Sequence, residues 1–208
     1  MTRVTEIVLF HHAQGLTGGV RSLAATLSDA GHIVHTPDSY DGKTFPDLQS
    51  GIGYAQEVGF GTVQERAIAA AQALPAEVVY VGISLGVMAA QQLAQTRPGC
   101  RGAVLLESCV PPEEFGDGWP DEVPVQVHGA ENDPIFAGEG DLDAAKTLVA
   151  EAKDAELFVY PGDRHLFEDS SLPTYDPEAT RLVTERMLAF LARLSVRLAP
   201  VASPTRAG

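Results

Sequence analysis

Basic residues are scarce in this chain. Fourteen lysines and arginines stand against twenty-eight aspartates and glutamates in 208 residues, a formal charge of −14. Nucleic acids and anionic membrane surfaces attract proteins mainly through lysine and arginine, so neither is an expected partner. Cysteine is almost missing: Cys100 and Cys109 build neither a disulfide framework nor a thiolate metal cage. No apolar run approaches the ~18 residues that suggest a membrane-crossing helix. The opening Met-Thr-Arg-Val-Thr-Glu-Ile reaches charge too early for a secretory signal. Internal repeats are lacking as well. What remains is 45% apolar and 20% charged, the composition of an ordinary globular protein, expected to be soluble and cytoplasmic.

Short β-branched runs alternate with longer helical stretches. Strands are expected at 5–10, 33–36, 77–83, 102–107, 123–128 and 157–160. Apolar residues at helical spacing mark 16–30, 62–74, 84–97, 142–152 and 177–198, with Gly31 placed to end the first of these. Segment 38–61 carries five glycines with Tyr40, Phe45, Tyr54 and Phe60, and reads as irregular structure with at most one short helical turn, a flap over a site. The alternation predicts an α/β fold: one domain over residues 1–198, a mostly parallel sheet with helices on both faces and no large cap, then a loose tail at 199–208. Sheets of this kind place their chemistry in loops at the carboxyl ends of the strands.

Gly82-Ile83-Ser84-Leu85-Gly86 joins the clearest strand to a helix. A turn this tight brings the residues two before and two after the serine close together, so both positions favour the absence of a Cβ. It holds the serine in a strained conformation with Oγ raised above the sheet edge, over a helix N-terminus whose field favours an oxyanion. This is the pattern of a nucleophile elbow; a plain turn serine between two glycines is the competing reading. A serine nucleophile needs an imidazole base and a carboxylate to orient it, following on later strand-end loops in the order Ser, acid, His.

Ala130-Glu131-Asn132-Asp133-Pro134 offers Asp133 as the acid, with Glu131 in reserve and an Asp-Pro turn initiator as the alternative. Pro161-Gly162-Asp163-Arg164-His165 offers His165 as the base. His11-His12-Ala13 follows the first strand, the loop from which a second oxyanion N–H is drawn; that donor is assigned to Ala13, and the first to Leu85. His12 and Glu107 are expected to line the pocket, with a rim carboxylate as the other reading of Glu107. His128 reads as a packed structural residue, and His32 and His35 as surface or edge positions. Adjacent histidines diverge, and no cysteine or glutamate stands at ligand spacing, so no metal and no other cofactor is expected.

The segments IVLFHHAQG, VRSLAATLSDAGHIVHTPDSYDG, VGISLGVMAA, VHGAENDPI and PGDRHLF together resemble the dienelactone hydrolase family of α/β-hydrolases, up to about Leu194. The resemblance implies a single domain that hydrolyses a small ester or lactone through an acyl-enzyme, with catalytic roles on Ser84, Asp133 and His165. The best-known members carry a cysteine where Ser84 stands, a glutamate at the position of His12, and a substrate-binding arginine at the position of Asp169. A serine does not need thiol activation, so the first two departures agree with each other. The third removes a cation from the pocket, and Arg66 and Arg164 are the residues that could supply a replacement charge. The expected partner is a small-molecule ester or lactone, met by a monomer or homodimer, with segments 40–60 and 110–119 lining the acyl and leaving-group sides. A binding protein that reuses the pocket without turnover is the reading from another class.

Overall fold

A computed structural model describes residues 4–197, so the expected tail at 199–208 lies outside the described residues. Strands β1 (Glu6–Phe10), β2 (Ile33–His35), β3 (Val79–Ile83), β4 (Gly102–Leu106), β5 (Val125–Ala130) and β6 (Ala155–Tyr160) form one sheet. Their order is β2-β1-β3-β4-β5-β6 and every neighbouring pair is parallel. Each strand lies within two residues of its expected bounds. The helices are α1 (Gly18–Asp29), α2 (Leu48–Val58), α3 (Phe60–Gln72), α4 (Val87–Thr96), α5 (Asp141–Glu151) and α6 (Pro177–Arg197).

Alternation along the strands builds two cores. Ile7, Leu9, Val79, Val81 and Val104 face α1 and α6, meeting Val20, Leu23, Leu27, Met187, Phe190 and Leu191. Val8, Phe10, Tyr80, Leu105, Val125 and Val127 face the other way, against Ala67 of α3, Leu93 of α4 and Leu148 of α5. Burying a Val, Leu or Ile side chain contributes about 1.5–3 kcal/mol, so strands apolar on both faces are stable only with helices on both. No described helix is long and apolar enough to cross a membrane.

Segment 38–61 departs from expectation. It contains all of α2 and the first two residues of α3. Asp47 caps α2 by accepting the Ser50 N–H at 2.7 Å, and Gly59, at φ +94°, separates the two helices. Gly51 weakens the helical signal in the sequence, yet a Cβ there would lie 2.0 Å from the Ala13 carbonyl oxygen. Glycine is what lets α2 lie against the loop after β1. Tyr40 packs edge-on to Phe45 and Tyr54, at centroid distances of 5.9 and 4.9 Å, and seals α2 to that loop.

The site follows from the topology. β1 pairs with β2 on one side and β3 on the other, so the order of travel reverses between β1 and β3. In open parallel sheets, ligands settle at the carboxyl ends of the strands beside that reversal.

Candidate active site

Ser84 follows β3 directly and has φ +48°, a left-handed conformation that side chains seldom adopt. Gly82 and Gly86 make it attainable, for different reasons. A Cβ on Gly82 would fall 2.6 Å from Val87 Cα and 2.7 Å from the Gly86 carbonyl oxygen, within the elbow itself. One on Gly86 would meet the Phe10 and His11 carbonyl oxygens at 2.4 and 2.7 Å, so the second glycine docks the elbow against the end of β1. Ser84 itself stays half-buried.

The serine hydroxyl lies 2.9 Å from His165 Nε2, and His165 Nδ1 lies 2.7 Å from Asp133 Oδ2. Asp133 is fully buried, and its other oxygen accepts the Ile135 N–H at 2.9 Å. Glu131, the reserve acid, is exposed and takes only the neighbouring Asn132 amide at 3.3 Å. The structure thus brings together the three residues singled out in sequence.

The first loop is fastened from beneath. His12 Nδ1 accepts the Gln14 N–H at 3.1 Å, which leaves the ring proton on Nε2, donated to Asp169 Oδ2 at 2.8 Å. Asp169 also accepts the Thr17 hydroxyl, the Ser171 N–H at 2.8 Å and the Ser171 hydroxyl at 2.6 Å. Burial alone would raise this carboxyl; hydrogen bonds from His12, Ser171 and Thr17 outweigh it and hold the pKa down to about 2. His12 was expected to face the pocket. It does not: its ring is fully buried in this clamp. His11 donates from Nδ1 to the His12 carbonyl at 2.8 Å and accepts the Ser39 N–H on Nε2 at 3.2 Å, and burial lowers its pKa.

Glu107 also differs from both of its sequence readings. It neither lines the pocket nor stands on a rim but is fully buried at the end of β4, with φ +58°. Its carboxyl accepts the Leu166 N–H at 2.5 Å and the Phe167 N–H at 3.1 Å. Burial, and then the charge of the nearby Glu168, push its pKa well above the ordinary carboxyl range. Glu168 is buried as well, lies beside the Glu107 carboxyl, and is raised by burial too. Nothing in the sequence marks Glu168; only the loop's turn inward after His165 reveals it.

His128 is the packed residue expected, bonded to the Tyr160 hydroxyl at 2.8 Å and pushed by burial down to about 3. His35 pairs with Glu6 at 2.7 Å on the edge strand, while His32, expected near the surface, is buried and accepts the Thr5 N–H at 3.3 Å.

Two cavities adjoin these residues. One of about 490 Å³ has His165 in its wall with Gln14, Asp47, Leu48, Ile135, Asp163, Arg164 and Leu172. The other, about 280 Å³, sits at the β1/β3 reversal, walled by Phe10, His11, Phe60, Val63, Leu85, Gly86 and Met88. Segment 40–60 thus supplies wall residues as expected, although Tyr40 itself is fully buried. Segment 110–119 lines neither cavity. The Val110, Pro112 and Gly118 carbonyls accept from Gln91 and Gln95 of α4, and Trp119 packs into the core beside them. Of the two candidate cations, Arg66 is paired with Asp41 at 2.8 Å, and Arg164 lies exposed in the larger cavity.

Comparison with known proteins agrees with the fold. Residues 2–195 match the profile of the dienelactone hydrolase family. A stretch of 69 residues is 38% identical to a protein of Saccharolobus solfataricus provisionally named carboxymethylenebutenolidase, covering 33% of this chain and 26% of that one. The match thus takes in about a quarter of that relative's length. Among solved structures, a provisionally named dienelactone hydrolase of Klebsiella pneumoniae superposes with a TM-score of 0.71 at 18% identity, over 91% of this chain and 87% of the other. A dienelactone hydrolase-like promiscuous phosphotriesterase from metagenomic libraries gives 0.70 at 22% identity, over 93% and 88%. At these identities the likeness shows the fold.

Proposed function

The chain belongs to the dienelactone hydrolase family, and on that premise we propose that it is a serine hydrolase of small, uncharged carboxylic esters or lactones. The observation that carries the reading is the unbroken line from the Ser84 hydroxyl through His165 to Asp133, at 2.9 and 2.7 Å. His165 Nε2 takes the proton as Ser84 Oγ attacks the carbonyl, and returns it to the leaving alcohol. Asp133 holds the ring in the required tautomer and steadies the imidazolium. Water then hydrolyses the acyl-enzyme by the same proton path in reverse. The N–H groups of Leu85 and Ala13 take the oxyanion, a donor of this kind lowering the barrier by about 3–4 kcal/mol. No cofactor enters these steps.

The uncharged substrate follows from the walls. Asp169 stands where the best-known members bind a substrate carboxylate, and here it is buried in the His12 clamp. Arg164, the cation in the larger cavity, shares it with Asp47 and Asp163. In the test, p-nitrophenyl acetate is turned over by the wild type and by Ser84→Ala. The expected loss is ~10⁴-fold or more, and retention within about tenfold of the wild-type rate overturns the assignment. A fluorophosphonate probe should label Ser84 stoichiometrically; failure to form the adduct favours a receptor without turnover.

A further inference from the structure

Among the described residues, three of the four non-glycine positions with left-handed backbone belong to one corner of the molecule: Ser84 at φ +48°, Glu107 at +58° and Leu166 at +60°. Each costs on the order of 1–3 kcal/mol unless its surroundings over-determine it, and such outliers cluster at working sites. The first is the elbow. The other two hold each other: Glu107 Oε2 accepts the N–H of Leu166, the residue directly after His165, and Oε1 accepts that of Phe167. The far end of the grip is fixed as well, because the Glu107 N–H donates to the His128 carbonyl on β5 at 2.7 Å. An oxygen of Glu107, one of Asp133 and a ring nitrogen of His165 lie within 4.8 Å of one another.

A loop turn could be closed far more cheaply. Two adjacent backbone N–H groups need only water or a serine hydroxyl, whereas here a carboxyl is carried into a site without solvent, beside Glu168 and the Asp133 carboxylate. We propose that Glu107 is a positioning residue for the hydrolytic reaction: by gripping the two N–H groups after His165 from the end of β4, it sets the reach of the imidazole toward Ser84. The inference rests on the serine-hydrolase reading. Its chemistry is geometric. His165 is the fifth residue of the loop that follows β6, and the bond from Asp133 restrains only one edge of the ring. Displacements near 1 Å at such a group cost ~10²-fold in rate.

The test uses Glu107→Gln and Glu107→Ala, with Ser84→Ala alongside. Glutamine keeps the shape and one accepting oxygen but presents an NH₂ to the other N–H, so one of the two grips is lost. Turnover of p-nitrophenyl acetate by the wild type and the Glu107 variants is expressed per active site titrated by the fluorophosphonate, which removes any effect of misfolded protein, and turnover by Ser84→Ala per mole of folded protein. For Glu107→Gln, kcat should fall at least about tenfold with KM within about twofold, and Glu107→Ala should fall further. A kcat per titrated site within twofold of wild type for Glu107→Gln overturns the proposal, whatever happens to its thermal stability. So does a Glu107→Gln protein that fails to fold where Ser84→Ala folds, since the residue is then a structural one. If Ser84→Ala keeps its activity, the hydrolytic reading itself falls, an outcome distinct from either.

Discussion

Asp169→Asn is the sharpest test of how the first loop is held. The asparagine keeps Oδ1 for the Ser171 N–H and hydroxyl, at 2.8 and 2.6 Å, but places an NH₂ where Oδ2 received His12 Nε2–H and the Thr17 hydroxyl. The Thr17 hydroxyl can turn. His12 cannot move its proton, because Nδ1 already accepts the Gln14 N–H at 3.1 Å. One buried donor therefore faces another, at about 1–3 kcal/mol. Asp169 also lies against the first turn of α1, where a Cβ on Gly19 would fall 1.7 Å from its Oδ1, and losing a negative charge there costs about 0.5 kcal/mol more. A second route agrees. A carboxyl held at about 2 in the fold and ~3.9 in the unfolded chain contributes about 2.5 kcal/mol at neutral pH. The native pKa is the lower one, so this stability is present above pH ~4 and is lost as pH falls toward 2, with about half gone at pH 3. Urea unfolding followed by circular dichroism at pH 7, 5 and 3 should show the variant about 2–4 kcal/mol weaker at pH 7, a gap nearly unchanged at pH 5 and narrower by about 1 kcal/mol at pH 3. A gap under about 0.5 kcal/mol at pH 7, or one as large or larger at pH 3 than at pH 7, refutes the clamp.

Gly86→Ala should cost ~2–4 kcal/mol of stability and ~10²-fold in kcat, because its Cβ would press on the backbone oxygens of Phe10 and His11 at 2.4 and 2.7 Å. Wild-type kinetics in that variant would mean that the elbow is not docked on β1. A p-nitrophenyl ester ending in a free carboxylate should have a kcat/KM at least about tenfold below that of a neutral ester of equal length, a difference of about 1.4 kcal/mol against Asp47 and Asp163. Equal or faster cleavage of the anionic ester would show Arg164 to be a working carboxylate anchor.

The candidate catalytic residues were legible because the proposed chemistry constrains them twice, by type and by place. Ser84, Asp133 and His165 each stand after a strand's carboxyl end, and short β-branched runs alternating with period-3.6 stretches located those ends within two residues. Segment 38–61 resisted the same reading for a physical reason. Its glycines serve close backbone approach rather than turns, and Gly51 against the Ala13 carbonyl gives no local signal. Segment 110–119 failed differently: its composition says loop, and only the reach of Gln91 and Gln95 from α4 decides which way the loop folds. Glu107 was visible but misplaced, since a carboxylate after a strand is usually solvated and nothing near it in sequence announces the N–H groups of Leu166 and Phe167.

The His12–Asp169 contact changes what two departures from the family pattern mean. Taken one at a time, a histidine for a glutamate removes a thiol activator, and an aspartate for an arginine removes a substrate anchor. In the fold these residues meet at 2.8 Å with no solvent between them, so neither position is free to vary alone. A glutamate beside Asp169 would bury two carboxylates in contact with Glu168 close by, and an arginine opposite His12 would set guanidinium N–H donors against the Nε2–H donor of the ring. Here the two residues work as one unit that anchors the first loop. For the proposed serine nucleophile such a clamp suffices, because His165 stands 2.9 Å from the Ser84 hydroxyl and the first loop has only to hold an N–H still.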